Sequence, residues 1–126
     1  MSVATAAAMQ AYKQVGNQGI SSDRLVLLGL EGILEYTRRA RLAIQTKDLS
    51  VKADSMDKAY QLTAHLLASV NFEQGGEIAK NLDSLYRFLL NQLAQANIFD
   101  DLQALDACQP VLVDLRDAWR GLLGHS

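Results

Sequence analysis

A chain of 126 residues that is 49% hydrophobic but only 6% aromatic is one domain's worth of sequence. It is long enough to bury its own core, and it draws its apolar content from Ala and Leu, which favours helix over sheet. Its 12 basic and 14 acidic residues give a formal net charge of −2, without the basic surplus of a nucleic-acid binder.

The N-terminal stretch MSVATAAAMQAYKQVG has no basic residue ahead of its short Ala run, which argues against a secretory signal. Nowhere does an apolar run reach the roughly 18 residues of a membrane span. Cytoplasmic location without membrane insertion is the default expectation. Residues 1–20 are weakly patterned and read as a mobile arm, helical around Ala4–Tyr12. The polar, glycine-flanked break Gly16-Asn17-Gln18-Gly19 separates this arm from a single bundle domain over residues 21–126.

Ser21, Ser22 and Asp23 are N-cap candidates for a first long helix running to about Thr46. Val26, Leu30, Ile33, Thr37, Ala40 and Ile44 form its stripe, and LVLLGL (Leu25–Leu30) is apolar almost all round. The basic cluster Arg38, Arg39 and Arg41 reads as a solvated face, with Glu35 placed to pair Arg39. TKDLSVKADS is a polar connection rich in cap candidates. A second helix is predicted from Val51 to Phe72, with Met56, Ala59, Thr63, Leu66 and Val70 inward and Tyr60 and Leu67 alongside. Gly75-Gly76 is expected to end it and to form the hinge to an antiparallel neighbour.

The third helix, Glu77 to about Asn97, carries Ala79, Leu82, Tyr86, Leu89, Leu93 and Ala96, a three-four alternation of the coiled-coil type. Ile78, Leu85 and Leu90 widen it. Asp100 or Asp101 should cap the last helix, whose stripe is Leu105, Cys108, Leu112, Leu115, Trp119 and Leu122. Pro110 should kink that helix or restart it near Asp106, and GLLGHS reads as a frayed tail. The fold class that follows is all-α, an antiparallel four-helix bundle preceded by the arm.

The chemistry of catalysis is missing from this sequence. Leu62, not an acid, stands three residues before His65, so a Glu-x-x-His metal motif is absent, and His125 lies in the tail. Neither glycine-rich phosphate loop occurs. Cys108, the single cysteine, allows no internal disulfide and reads as a small buried hydrophobe. The expectation is a non-enzyme with no cofactor and no metal. The surplus is apolar width, which either packs the arm and helix flanks or forms a groove for an amphipathic helix from a partner.

Three stretches carry a resemblance. AYKQVGNQGISSDRLVLLGLEGILEYTRRARLAI resembles the opening of the flagellin export chaperone family, FliS. NFEQGGEIAKNLDSLYRFLLNQLAQAN is similar to that family's block of a Gly-Gly turn, Glu-Ile-Ala, Asn-Leu, Leu-Tyr and a closing Ala-Asn. LVDLRDAWRGL resembles its Leu-Arg-x-Ala-Trp signature. The match spans about residues 10–123. It departs where the family's Ser-Pro cap stands as Ser21-Ser22, where the Tyr of Leu-Tyr-Asp-Gly is replaced by Leu30, and at Pro110.

The resemblance implies a cytoplasmic chaperone for the disordered C-terminal segment of flagellin. Such a chaperone would prevent early polymerisation and deliver its client to the flagellar type III export gate. Tyr12 matches the family's N-terminal Tyr and would belong to an arm that covers the groove. Groove candidates are Leu25, Leu28 and Ile33 on the first helix, Met56, Tyr60 and Leu67 on the second, and Leu82, Tyr86 and Leu89 on the third. Core is the competing assignment for each, and Trp119 is assigned to the core. The alternative function is a bundle adaptor, or a self-associating structural protein, that binds a different amphipathic helix.

Overall fold

The computed structural model describes residues 22–124, apart from the side chains of residues 72–74. The arm and Tyr12 lie outside the described residues. Four helices follow in order, α1 (Ser22–Thr46), α2 (Leu49–Ala68), α3 (Phe72–Phe99) and α4 (Leu102–Leu122), and no strand occurs among the described residues. Each helix packs on its chain neighbours and α1 also packs on α4, so the four form a closed square. This is the all-α antiparallel bundle expected from the sequence.

The inner stripes follow the expected faces, with Tyr36 and Leu62 added to those expected on α1 and α2. Leu30, Ile33, Tyr36 and Ala40 of α1 meet Met56, Ala59, Leu62 and Leu66 of α2. Tyr86, Leu89, Leu93 and Ala96 of α3 and Leu105, Cys108, Leu112 and Leu115 of α4 complete the core. Burying each large apolar side chain contributes about 1.5–3 kcal/mol relative to exposure. Two buried threonine hydroxyls are satisfied locally: Thr37 donates to the Leu34 carbonyl at 2.9 Å and Thr63 to the Ala59 carbonyl at 2.8 Å.

At one end of the bundle two connections share a single design. Lys47 (φ 59°) and Asp100 (φ 53°) adopt the left-handed conformation just past α1 and α3. The next amides, of Asp48 and Asp101, reach back to the Ala43 and Ala96 carbonyls at 2.9 and 3.3 Å, which closes each helix end. The same two aspartates then cap α2 and α4, their carboxylates accepting from the Val51 and Ala104 amides. Lys52 bridges the pair of turns, donating to the Asn97 carbonyl at 2.9 Å and pairing with Asp100.

Both expected boundaries of α2 are corrected, and the end of the bundle opposite the tight turns is less regular. α2 begins at Leu49, because Asp48 is its cap, and it ends at Ala68 rather than Phe72. Ser69 closes it: its amide bonds the His65 and Leu66 carbonyls, and its hydroxyl donates to Leu66 at 2.8 Å. The glycine pair therefore does not end α2. A helical turn forms first, with the Gly75 amide on the Asn71 carbonyl at 2.9 Å. Gly76 (φ 53°, ψ −124°) then kinks α3 before the regular helix begins.

Of the two outcomes expected at Pro110, a kink or a restart near Asp106, the restart does not occur. α4 runs from Leu102 to Leu122 through Pro110. Pro110 and Asp106 are both on the exposed face, where water can take the place of the missing hydrogen bond.

Candidate functional site

Where α1 and α3 start and α2 and α4 finish, the bundle opens into a cleft of about 590 Å³, a size that suits a bound segment or ligand. Leu25 and Val26 form one wall. Leu66, Ala68 and Val70 form the next, Ile78, Ala79, Leu82 and Tyr86 the third, and Trp119 closes the square from α4. Ser22, Asp23, His65, Ser69 and Asn71 supply a polar rim. Ile78 is 70% exposed, a large apolar side chain at the lip with most of its surface in water.

Two other depressions differ in chemistry. The α1/α4 seam is a groove of about 360 Å³ lined by Glu31, Glu35, Arg38, Arg41, Asp106, Arg116 and Arg120. Its charges pair with one another: Arg41 grips Asp106 through two hydrogen bonds of 2.7 and 3.0 Å, and Arg120 reaches Glu31 at 3.0 Å. Hydrogen bonds from Arg38 hold the Glu35 carboxyl below the usual carboxylate range, and Arg41 does the same for Asp106. Arg39 also reaches Glu35, at 3.4 Å. The basic cluster is thus a solvated, internally paired face. The third depression, between α1 and α2 near the tight turns, is lined mainly by polar and charged groups such as Arg38, Arg39, Asp48 and Asp54.

The expected groove residues divide by their position along the bundle. Leu25, Leu82 and Tyr86 line the cleft. Ile33, Met56 and Leu89 sit in the core, Leu89 at 0% exposure, and none of them lines the cleft. Leu28 and Leu67 are half-buried, while Tyr60 is exposed on α2 away from the cleft lining.

Sequence reasoning passed over Val26, Val70, Ile78 and Ala79 as cleft residues, and it placed Trp119 in the core. Trp119 does pack against the core, yet it is half-buried and borders the cleft. Stripe spacing could not separate these roles, because a seam residue at a helix end faces the same way as one at mid-helix. The available signal was position: every one of these residues lies within about two turns of a chain break at the same end.

No metal-binding group of three or more His, Cys, Asp or Glu occurs among the described residues. Burial pushes the Cys108 thiol up to about 12, away from the thiolate a nucleophile requires. No described helix is long and apolar enough to cross a membrane.

The sequence matches the family described as "Flagellar protein FliS" over residues 5–125. The chain belongs to the FliS family. Among similar proteins, the flagellar secretion chaperone FliS of Vibrio cholerae is 34% identical over 115 residues, covering 88% of this chain and 85% of that protein. The flagellar secretion chaperone FliSB of Pseudomonas aeruginosa is 33% identical, covering 91% and 94%. FliS of Salmonella typhimurium is 32% identical, covering 92% and 90%.

The FliS-like blocks converge in space. Gly75, Ile78, Ala79, Leu82 and Tyr86 of the Gly-Gly block and Trp119 of the Leu-Arg-x-Ala-Trp block all line the one cleft.

Proposed function

We propose that this FliS-family chain is a cytoplasmic export chaperone whose apolar cleft receives the disordered C-terminal segment of flagellin. Bound there, the segment is withheld from premature polymerisation and presented to the flagellar type III export apparatus. The observation that carries this reading is the convergence of all three FliS-like stretches on the cleft. A disordered client suits such a site, because it folds as it binds and the ordering cost trims affinity, leaving release possible at export.

The test is calorimetric titration of the purified chain with a peptide copy of the host flagellin's C-terminal segment. One-to-one binding is expected, with a negative heat-capacity change and a gain of helical circular dichroism. A folded chain that gives no heat with this peptide would overturn the reading.

Self-association, the alternative, draws on Leu49 and Phe99, which are 73% and 66% exposed beside the tight turns. Sedimentation over a dilution series without flagellin distinguishes the two, because only self-association grows with chain concentration.

A further inference from the structure

Among the described residues, one buried side-chain nitrogen or oxygen makes no hydrogen bond: Nε1 of Trp119. Folded proteins satisfy the great majority of such groups, so an orphan marks either a standing cost or a group held for something that arrives later. Its location favours the second case, because the same indole borders the apolar cleft. We propose that Trp119 is a recognition residue, whose indole N–H donates to a backbone carbonyl of the client segment seated in the cleft. This rests on the chaperone reading and deepens it.

The chemistry narrows what can lie against the ring. An indole N–H only donates, so its partner is an acceptor. Carbonyls in the middle of a client helix are already engaged, whereas those of an extended stretch or of a helix's last turn are free. The part of the client beside Trp119 is therefore an extended stretch or a helix C-terminus. The apolar walls fix where the segment lies, and one donor among them fixes its register, as in most binding pockets.

Nε1 is closed to solvent in the free chain, so the carbonyl reaches it when the wall yields. Ser22, Asp23 and Arg24, in the first turn of α1, are exposed, and terminal turns open at low cost. Leu25 and Val26 follow directly and line the same cleft, so fraying that turn moves the wall beside the ring.

Trp119 is the chain's single tryptophan, which gives one indole N–H resonance to follow. The experiment titrates 15N-labelled full chain with the flagellin C-terminal peptide. It then repeats the titration on a Trp119→benzothienylalanine chain, where sulfur replaces the N–H and the ring shape is kept. The expected result is a downfield move of the indole proton on binding, a loss of affinity of roughly fivefold to tenfold in the isostere, and an unchanged or higher melting temperature of the free isostere chain. A residue that only packs would leave affinity untouched by the isostere. Binding by both chains with equal affinity and no downfield move overturns this proposal and leaves the chaperone reading standing. Failure of the unmodified chain to bind overturns both.

Discussion

Cys108 shows how a single buried side chain sets a pH limit. It is fully buried and donates weakly to the Ala104 carbonyl at 3.5 Å. Burial raises its pKa from 9.0 to about 12. A group whose folded pKa is raised gives stability that is present below its unfolded value and lost as pH rises toward the folded one. The unfolded chain ionises its thiol first, so stability should fall by up to about 1.4 kcal/mol per pH unit above pH ~9. Tyr36, also raised by burial from 10.0, adds to the decline only beyond that higher value. Urea unfolding at a series of pH values just above ~9 should therefore show a steep decline for the unmodified chain and a flatter one for Cys108→Ala. Parallel profiles would show that the thiol does not carry the effect. The burial of Cys108 was legible in the sequence, since it falls on the α4 stripe between Leu105 and Leu112. Its pKa was not, because that depends on all four helices closing around it.

At the scale of elements, the left-handed residues set the helix ends. Lys47 is exposed and holds φ 59° with a side chain that disfavours it. Lys47→Gly should stabilise the bundle by about 0.5–1 kcal/mol, the strain relieved exceeding the entropy glycine adds to the unfolded chain. Gly76 holds φ 53° and ψ −124°, and a Cβ there meets nothing within 4 Å. Gly76→Ala should still cost about 1–3 kcal/mol, because the cost lies in the backbone rather than in space. Chemical denaturation of the two variants checks both signs, and a destabilised Lys47→Gly would refute the helix-end argument. Helix stripes were readable from residue spacing, whereas these ends were not. Gly75-Gly76 looks like a terminator because glycine often follows a helix, but Ser69 had already closed α2 by bonding its own last turn. Pro110 allows a kink or a restart, and no restart occurs, because an exposed face tolerates it once Asp101 has started the helix.

At the scale of the whole molecule, the two ends of the bundle do different work. Two matching turns, each using one aspartate to close one helix and cap the next, pin one end, and Lys52 ties them together. The other end has a three-residue connection, a kinked α3 and an apolar cleft. Sequence spacing named the seam but not which end of it opens, so Leu25, Leu82 and Tyr86 were chosen alongside the core residues Ile33, Met56 and Leu89. Position along the bundle separates them, since Tyr86 is as buried as Met56, while depth separates Leu82 from Leu89 and makes a prediction. Leu82 is half-buried on the cleft wall, so Leu82→Asp should cost only about 1–2 kcal/mol of stability and should abolish binding of the flagellin peptide. Leu89 is sealed among the four helices, where an unpaired carboxylate costs more than about 4 kcal/mol. Leu89→Asp should therefore lose the cooperative melt itself, since a domain this size has only about 5–15 kcal/mol in hand. If Leu82→Asp instead melts like Leu89→Asp, the cleft wall is core. If it stays folded and still binds, the client docks elsewhere on the bundle. Binding lost with folding kept is the outcome that only an external, apolar site at this end produces.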